Sequence, residues 1–161
     1  MPVGSGTTRR AWLRATLGMA WLPLAAMHPV AWALDNPDTP DAVAAFKARE
    51  EPLRSRWSVD AGGPQQAAAA RAYAAFLDAE LNQAYQTLLA VLPGDARQAL
   101  VRAQRQWLAW RAAEQHLIDG QFTAQRHGSS AAFSRADMAL QLTRQRVLTL
   151  LAYQQNQPAA R

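Results

Sequence analysis

Cysteine is absent from all 161 residues of this chain. Disulfides, thiolate metal sites and thiol nucleophiles are therefore excluded, and the fold must be stabilised by packing and noncovalent polar contacts. The G-x-S-x-G turn that presents a nucleophilic serine is also absent. No paired carboxylates stand at a spacing typical of a hydrolytic site, so we expect the protein not to be an enzyme.

Histidine is scarce as well. Of the three histidines, His116 and His127 lie eleven residues apart with no acid at ligand spacing, and His28 lies in the N-terminal segment. Zinc and haem sites need several ligands brought together at recurring spacings. The sequence therefore predicts neither a metal site nor a cofactor.

The N-terminal segment has the features of an export signal. The pair Arg9-Arg10 precedes an apolar stretch at 15–26, which is too short to span a bilayer, and Ala31-Trp32-Ala33 has the A-x-A form of a cleavage site. The segment resembles a twin-arginine signal. We expect residues 1–33 to be removed after Ala33 and the protein to reach the periplasm or the medium, meeting the membrane only during export. The alternative is a retained anchor at 21–33, which prolines interrupt.

Charge argues against nucleic acid as a partner. The whole chain carries a formal charge of +5, but the predicted signal holds three arginines and no acid, which leaves 14 bases against 12 acids in the remaining 128 residues. That part also lacks a long basic run with interleaved aromatics. Its length suits one domain with a modest core.

Apolar residues recur at steps of three and four, and no stretch alternates with period two. Residues 65–92 form the first predicted long helix, and Pro93-Gly94 ends it. The second covers 96–118, a loop follows from 119 to about 130, and the third begins at a cap formed by Ser130 or Ser134. The predicted fold is an all-α antiparallel bundle of three long helices. The predicted core comprises Tyr73, Phe76, Leu77, Leu81, Tyr85, Leu88, Leu89, Leu92, Ala96, Leu100, Ala103, Trp107, Trp110, Leu117, Ile118, Met138, Leu142, Val147, Leu150 and Leu151.

A short helical arm precedes the bundle. Thr39 is its predicted cap, Pro40 lies in its first turn, and Pro52 is expected to stop it. Glycines and a proline at 60–66 predict a break, so the arm should be loosely joined. The predicted organisation is a signal at 1–33, an arm and linker at 34–64, and a helical domain at 65–157.

Polar side chains share the inner stripes of these helices. They are Asn82 and Tyr85 on the first long helix, Gln104, Trp107 and Arg111 on the second, and Thr143 and Arg146 on the third. Folding the two hairpins brings them to one level, with Asn82, Gln104, Thr143 and Arg146 clustered beside Trp107. Buried amides and guanidinium groups require partners, so this set predicts a network that sets the helix register; a ligand-binding site is the alternative.

Three motifs carry a family resemblance: L-N-x-x-Y at 81–85, Q-x-x-W-x-x-x-R at 104–111 and T-x-x-R at 143–146. Over residues 70–152 the chain resembles the LprI-like lysozyme-inhibitor family of small bacterial envelope proteins. The resemblance implies a helical, secreted or periplasmic, non-enzymatic module, and some relatives bind and inhibit lysozyme. It implies a protein partner, with lysozyme one candidate.

Two departures from the family affect the functional prediction. Relatives commonly carry cysteines near the positions of Gln115 and Ala139, so the usual helix-to-helix disulfide is missing here. Lysozymes are strongly basic and this chain is not acidic, so we expect weak or no inhibition of hen-type lysozyme unless Asp95 or Asp119 supplies an acidic contact. The predicted function is an exported binding module, an inhibitor or envelope-stress accessory. The alternative is a structural adaptor that docks through the arm at 40–58. Partner and oligomeric state stay open.

Overall fold

Helices make up almost all of the chain that the computed structural model describes, which is residues 41–59 and 63–157. The helices are α1 (Ala42–Val59), α2 (Gly63–Val91), α3 (Gly94–Gln121), α4 (Ala124–His127) and α5 (Ala131–Gln155), with a 3₁₀ turn at Gly128–Ser130. No strand occurs within these two ranges. The prediction of an all-α bundle with three long helices is confirmed. The predicted signal at 1–33, with Arg9, Arg10, Ala31 and Ala33, lies outside the described residues, as does Thr39.

The hairpin between α2 and α3 has the predicted position. Leu92 and Pro93 connect the helices, and the Arg97 N–H donates to the Pro93 carbonyl at 2.8 Å. Pro93 offers no side-chain cap, but Asp95 places a negative charge in the first turn of α3, where it complements the helix dipole. A connection this short makes α2 and α3 antiparallel.

Two reversals of the chain make α2 and α5 run parallel. At one end, Glu50 of α1 bonds to Tyr73 of α2 and Arg144 of α5; further along both helices, Gln154 Nε2 donates to the Ala84 carbonyl at 2.8 Å. These two helices supply most of the buried residues, including Leu77, Leu88, Val147 and Leu150. They form the centre of the bundle, and α1 and α3 pack against them.

The arm forms a full helix of 18 residues, so the prediction that Pro52 stops it was wrong. Phe46, before the proline, and Trp57, after it, are both buried in the common core. A proline inside a helix costs about 3 kcal/mol, and burying two large aromatic rings offsets that cost. The expectation of a loosely joined arm was wrong for the same reason.

The start of α1 and the break after it also differ in detail. Asp41 caps α1, since its Oδ1 accepts the Ala44 N–H at 2.9 Å. The predicted break at 60–66 is shorter than expected, because α2 already begins at Gly63 and includes Pro64. Gly63 has φ of 75°, a conformation that glycine adopts without a Cβ penalty.

The predicted loop from 119 to about 130 is mostly helical. Helix α3 continues to Gln121, and α4 and the 3₁₀ turn follow within a few residues. Ser130 directly precedes α5, but its Oγ donates to the His127 carbonyl at 2.8 Å instead of capping the helix. Ser134 lies inside α5 and is not its cap. Arg135 of α5 stabilises the connection between α3 and α5 by donating a hydrogen bond to the Phe122 carbonyl.

Several residues predicted in the core are exposed. Trp110, Leu117 and Met138 retain 46%, 54% and 43% of their accessible surface. Ala103 is exposed too. The reason is that α3 packs on the outside of the α2–α5 pair, and within the described bundle only a narrow stripe of it is buried, formed by Leu100, Gln104 and Ile118.

Candidate binding cleft

Arg146 of α5 and Gln104 of α3, two members of the polar cluster expected from the sequence, are joined by a hydrogen bond. Arg146 Nε donates to Gln104 Oε1 at 3.0 Å, and Gln104 is only 8% exposed. The guanidinium carbon of Arg146 lies 5.7 Å from the centre of the Trp107 ring. These three side chains therefore link α3 to α5 through a charge-assisted bond and a cation–π contact.

The Arg146 guanidinium is incompletely paired. Its Nη2 is buried and has no hydrogen-bond partner among the described residues. Burial lowers the pKa of Arg146 from its usual value, because the charged form loses hydration. The polar network around Arg146 therefore leaves one donor nitrogen, Nη2, unsatisfied.

Two predicted members of that network do not join it. Thr143 is 8% exposed, but its Oγ1 lies 3.5 Å from the Ala139 carbonyl one turn earlier on its own helix. Asn82 is exposed and makes no side-chain hydrogen bond to Gln104 or Arg146. Trp107 is half-buried, where the sequence predicted a core residue.

Asn82 instead lines a cleft between α2 and α3. This cleft has a volume of 490 Å³ and is open to solvent, and Tyr85, Gln104 and Arg111 also line it. Arg111 Nη1 donates to Asp78 Oδ1 across the cleft at 3.4 Å, and the guanidinium carbon lies 4.9 Å from the centre of the Trp107 ring. Four of the seven predicted site residues thus face one concave surface.

A second cleft of 540 Å³ continues the first along α2 and reaches α5. The two share Asp78, Leu108 and Arg111, so we treat them as one feature, the α2–α3 cleft. Thr143 lines the second part, as do Gln115 and Ala139, the two positions where relatives carry cysteines. Without a disulfide at these positions, α3 is held here by noncovalent contacts alone.

Sequence reasoning missed a buried ionic cluster on the other side of the bundle. Arg144 donates to both carboxylate oxygens of Glu50, at 2.7 and 2.8 Å, and the Tyr73 hydroxyl donates to the same carboxylate. Glu50 is only 2% exposed. Its helical spacing from Phe46 and Leu53 could have placed it on the inner face of α1, but Pro52 was interpreted as the end of that helix.

The cluster has a structural role. Burial raises the pKa of Tyr73 above its ordinary value, and the hydrogen bond to Glu50 adds to the effect. A second bidentate pair joins α1 to α2, with Arg49 Nε and Nη2 at 2.9 and 2.8 Å from the Glu80 oxygens. Trp57 Nε1 donates to Asp137 of α5 at 3.1 Å. Together these contacts fix the position of α1 on the bundle.

Within residues 41–59 and 63–157, histidine and acidic side chains form no group of three that could hold a metal ion. None of the helices in those ranges has both the length and the hydropathy needed to cross a bilayer.

The fold and the cleft define the class: a small all-α bundle in which three sequence motifs meet beside an open groove. The family model described as lysozyme inhibitor LprI matches residues 59–150, more than half of the chain, and the protein therefore belongs to the LprI family. The resemblance seen in the motifs is confirmed. Neither the curated proteins nor the solved structures include a significant match to this chain.

Proposed function

We propose that this protein is an exported, non-enzymatic binding module that recognises a protein partner through the α2–α3 cleft, as an inhibitor or an envelope-stress accessory. The observation that carries the proposal is the position of the family motifs. Asn82 and Tyr85 from the first motif and Gln104 and Arg111 from the second line one side of a solvent-open concavity. A motif that served only the core would be sealed from solvent.

Family membership supports a protein as the ligand, since lysozyme is the target in the family's description. The cleft also suits a protein more than a metabolite, because it is long and open, with an exposed Leu108 on its wall. An apolar centre surrounded by a polar rim is the common arrangement of a protein interface.

The alternative function, an adaptor that docks through its arm, is less favoured. The large apolar side chains of α1, Phe46 and Trp57, are 0% and 4% exposed, and they pack on α2 and α5. Using them to bind a partner would require α1 to leave the bundle and break the buried Glu50–Arg144 pair.

The acidic side chains that the structure describes offer few free carboxylates to a basic partner. Most carboxylates in the described ranges already have a cationic or polar partner; Glu50, Glu80, Asp78 and Asp119, for example, each pair with an arginine. Asp95 remains exposed at the start of α3 and is the better of the two acidic candidates. A strongly basic lysozyme would therefore find little complementary charge.

The test measures binding and inhibition of a panel of lysozymes that range from basic to acidic. Binding is followed by biolayer interferometry and inhibition by the loss of turbidity of a cell-wall suspension. We expect weak or no inhibition of hen-type lysozyme and binding of another member that Tyr85→Ala weakens at least about tenfold. Tyr153→Ala is the matched control, because Tyr153 is 51% exposed and lies outside the cleft. Equal binding by both variants would refute the cleft as the site.

Export is tested separately. The Arg9-Arg10 pair supports a twin-arginine route, so replacing both by lysine should retain the precursor in the cytoplasm. Cell fractionation and immunoblotting of a C-terminally tagged chain measure this. Unchanged secretion of the double variant would contradict that route and favour the general secretory pathway.

A further inference from the structure

Three arginines border the α2–α3 cleft along its whole length. Arg71 lies at one end, Arg105 at the other and Arg111 between them. Arg71 and Arg105 are exposed and make no ion pair or side-chain hydrogen bond with the residues described. Asp78 and Arg111 do pair, but at 3.4 Å, with the Asp78 side chain 59% exposed. Such an exposed pair contributes little and exchanges readily.

The balance of charge in the cleft is therefore positive. Asp78 is its single carboxylate, against three guanidinium groups. Each guanidinium carries several N–H donors in a planar arrangement that matches the two oxygens of a carboxylate. A partner that brought lysines or arginines into this cleft would meet like charge, whereas carboxylates would find unoccupied donors.

The lining of the cleft also has an apolar part. Leu108 is 43% exposed and belongs to both parts of the cleft, and short alanine side chains such as Ala74 and Ala112 lie beside it. The cleft follows α2 from Arg71 to Tyr85, a distance of roughly 20 Å at the rise of an α-helix. That length corresponds to a helical segment of about 14 residues.

We propose that the α2–α3 cleft binds an acidic, leucine-bearing helical segment of the partner protein, with its carboxylates on Arg71, Arg105 and Arg111 and its apolar side chains on Leu108. This inference rests on the proposed function and specifies the chemistry of the partner. It predicts that the partner presents an acidic surface, unlike a hen-type lysozyme.

The test uses fluorescence anisotropy with three labelled peptides of about 14 residues. One has leucines along one helical face and glutamates on both sides of it, the second replaces every glutamate by lysine, and the third is polyglutamate. The full chain is expressed in a bacterium, and the protein is purified in whichever form, processed or unprocessed, accumulates there. We expect binding of the acidic leucine peptide only, with affinity that falls as NaCl is raised from about 50 to about 500 mM.

Matched variants then locate the binding site. Arg71→Gln/Arg105→Gln should weaken binding about 5- to 10-fold, because two exposed charge pairs are lost. Arg56→Gln/Arg102→Gln removes the same charge from exposed positions outside the cleft and should bind as wild type. Neither pair of substitutions removes an ion pair or a side-chain hydrogen bond between described residues, so circular dichroism melts should coincide with that of wild type.

Each contrary result overturns the inference in a distinct way. Failure of the acidic leucine peptide to bind refutes the proposed ligand, and equal binding of the lysine peptide refutes the role of charge. Equal binding of polyglutamate refutes the role of Leu108. If lysozymes bind through Tyr85 while the acidic peptide does not, the proposed function stands and this inference fails. If the peptide binds and no lysozyme does, this inference stands and the partner is a protein other than a lysozyme.

Discussion

The buried contact between Glu50 and Arg144 provides the sharpest test of how α1 is held in the bundle. Glu50→Ala would remove a carboxylate that is 2% exposed and accepts hydrogen bonds from Arg144 and Tyr73. The Arg144 side chain is itself 19% exposed, so water could not fully replace the lost partner. Removing one member of a buried pair leaves an uncompensated charge, and the expected cost is about 3–5 kcal/mol.

Urea unfolding followed by circular dichroism measures the free energy, and a thermal scan should show Tm lowered by roughly 10–20 °C. Glu51→Ala is the matched control. Glu51 is the next residue on α1, its side chain is 63% exposed, and its ion pair with Arg54 is long at 3.7 Å. We expect it to change stability by less than about 0.5 kcal/mol.

A companion double variant separates the buried charge from the packing. Glu50→Met/Arg144→Met removes both charges together, and most of the stability lost in Glu50→Ala should return because no ion remains unpaired. A Glu50→Ala variant within about 1 kcal/mol of wild type would refute the reasoning. So would a double variant as unstable as the single one, since the charge would then not be the cause.

Three further predictions concern the rest of the bundle. Trp107→Ala should lower the free energy of unfolding by about 2 kcal/mol, less than the loss of a fully buried aromatic ring, because Trp107 is half-buried. Urea unfolding measures this, with the exposed Trp110→Ala as the control. Folding raises the pKa of Tyr73, so this tyrosine ionises at lower pH in the unfolded chain than in the folded one. Its contribution to the free energy of unfolding should be fully present below about pH 10 and should fall as the pH rises further. Stability should therefore fall more steeply with pH in wild type than in Tyr73→Phe, and parallel alkaline stability curves would contradict this. Gln115→Cys/Ala139→Cys should form a disulfide across the cleft and add about 3 kcal/mol when oxidised, and equal stability with and without reductant would contradict this.

The helices and the family were predictable from the sequence because both depend on local patterns. Apolar residues at steps of three and four define α2, and Pro93-Gly94 marks its end within a residue or two. The family motifs are likewise short and continuous, as in the Asn82–Tyr85 and Trp107–Arg111 spacings. Each of these signals lies within one helix, so no tertiary information is needed to recognise it.

The limits of local patterns appear at α1 and α3. Pro52 disfavours a helix locally, and only the packing of Phe46 and Trp57 on two other helices overrides it. Leu117 and Met138 fit the apolar repeat, yet the outer position of α3 and the narrow contact it makes leave them exposed.

The candidate site likewise depends partly on local sequence patterns and partly on tertiary packing. The sequence by itself determined an all-α bundle of a known family and placed Gln104 and Arg146 at one level, because helix periodicity and short turns set the register. Only the tertiary structure decided that Asn82 lines an open cleft, that Arg71 and Arg105 border it unpaired, and that Glu50 is buried against Arg144. These outcomes depend on the spacing and tilt between helices, which arise from contacts among residues up to 114 positions apart in the chain.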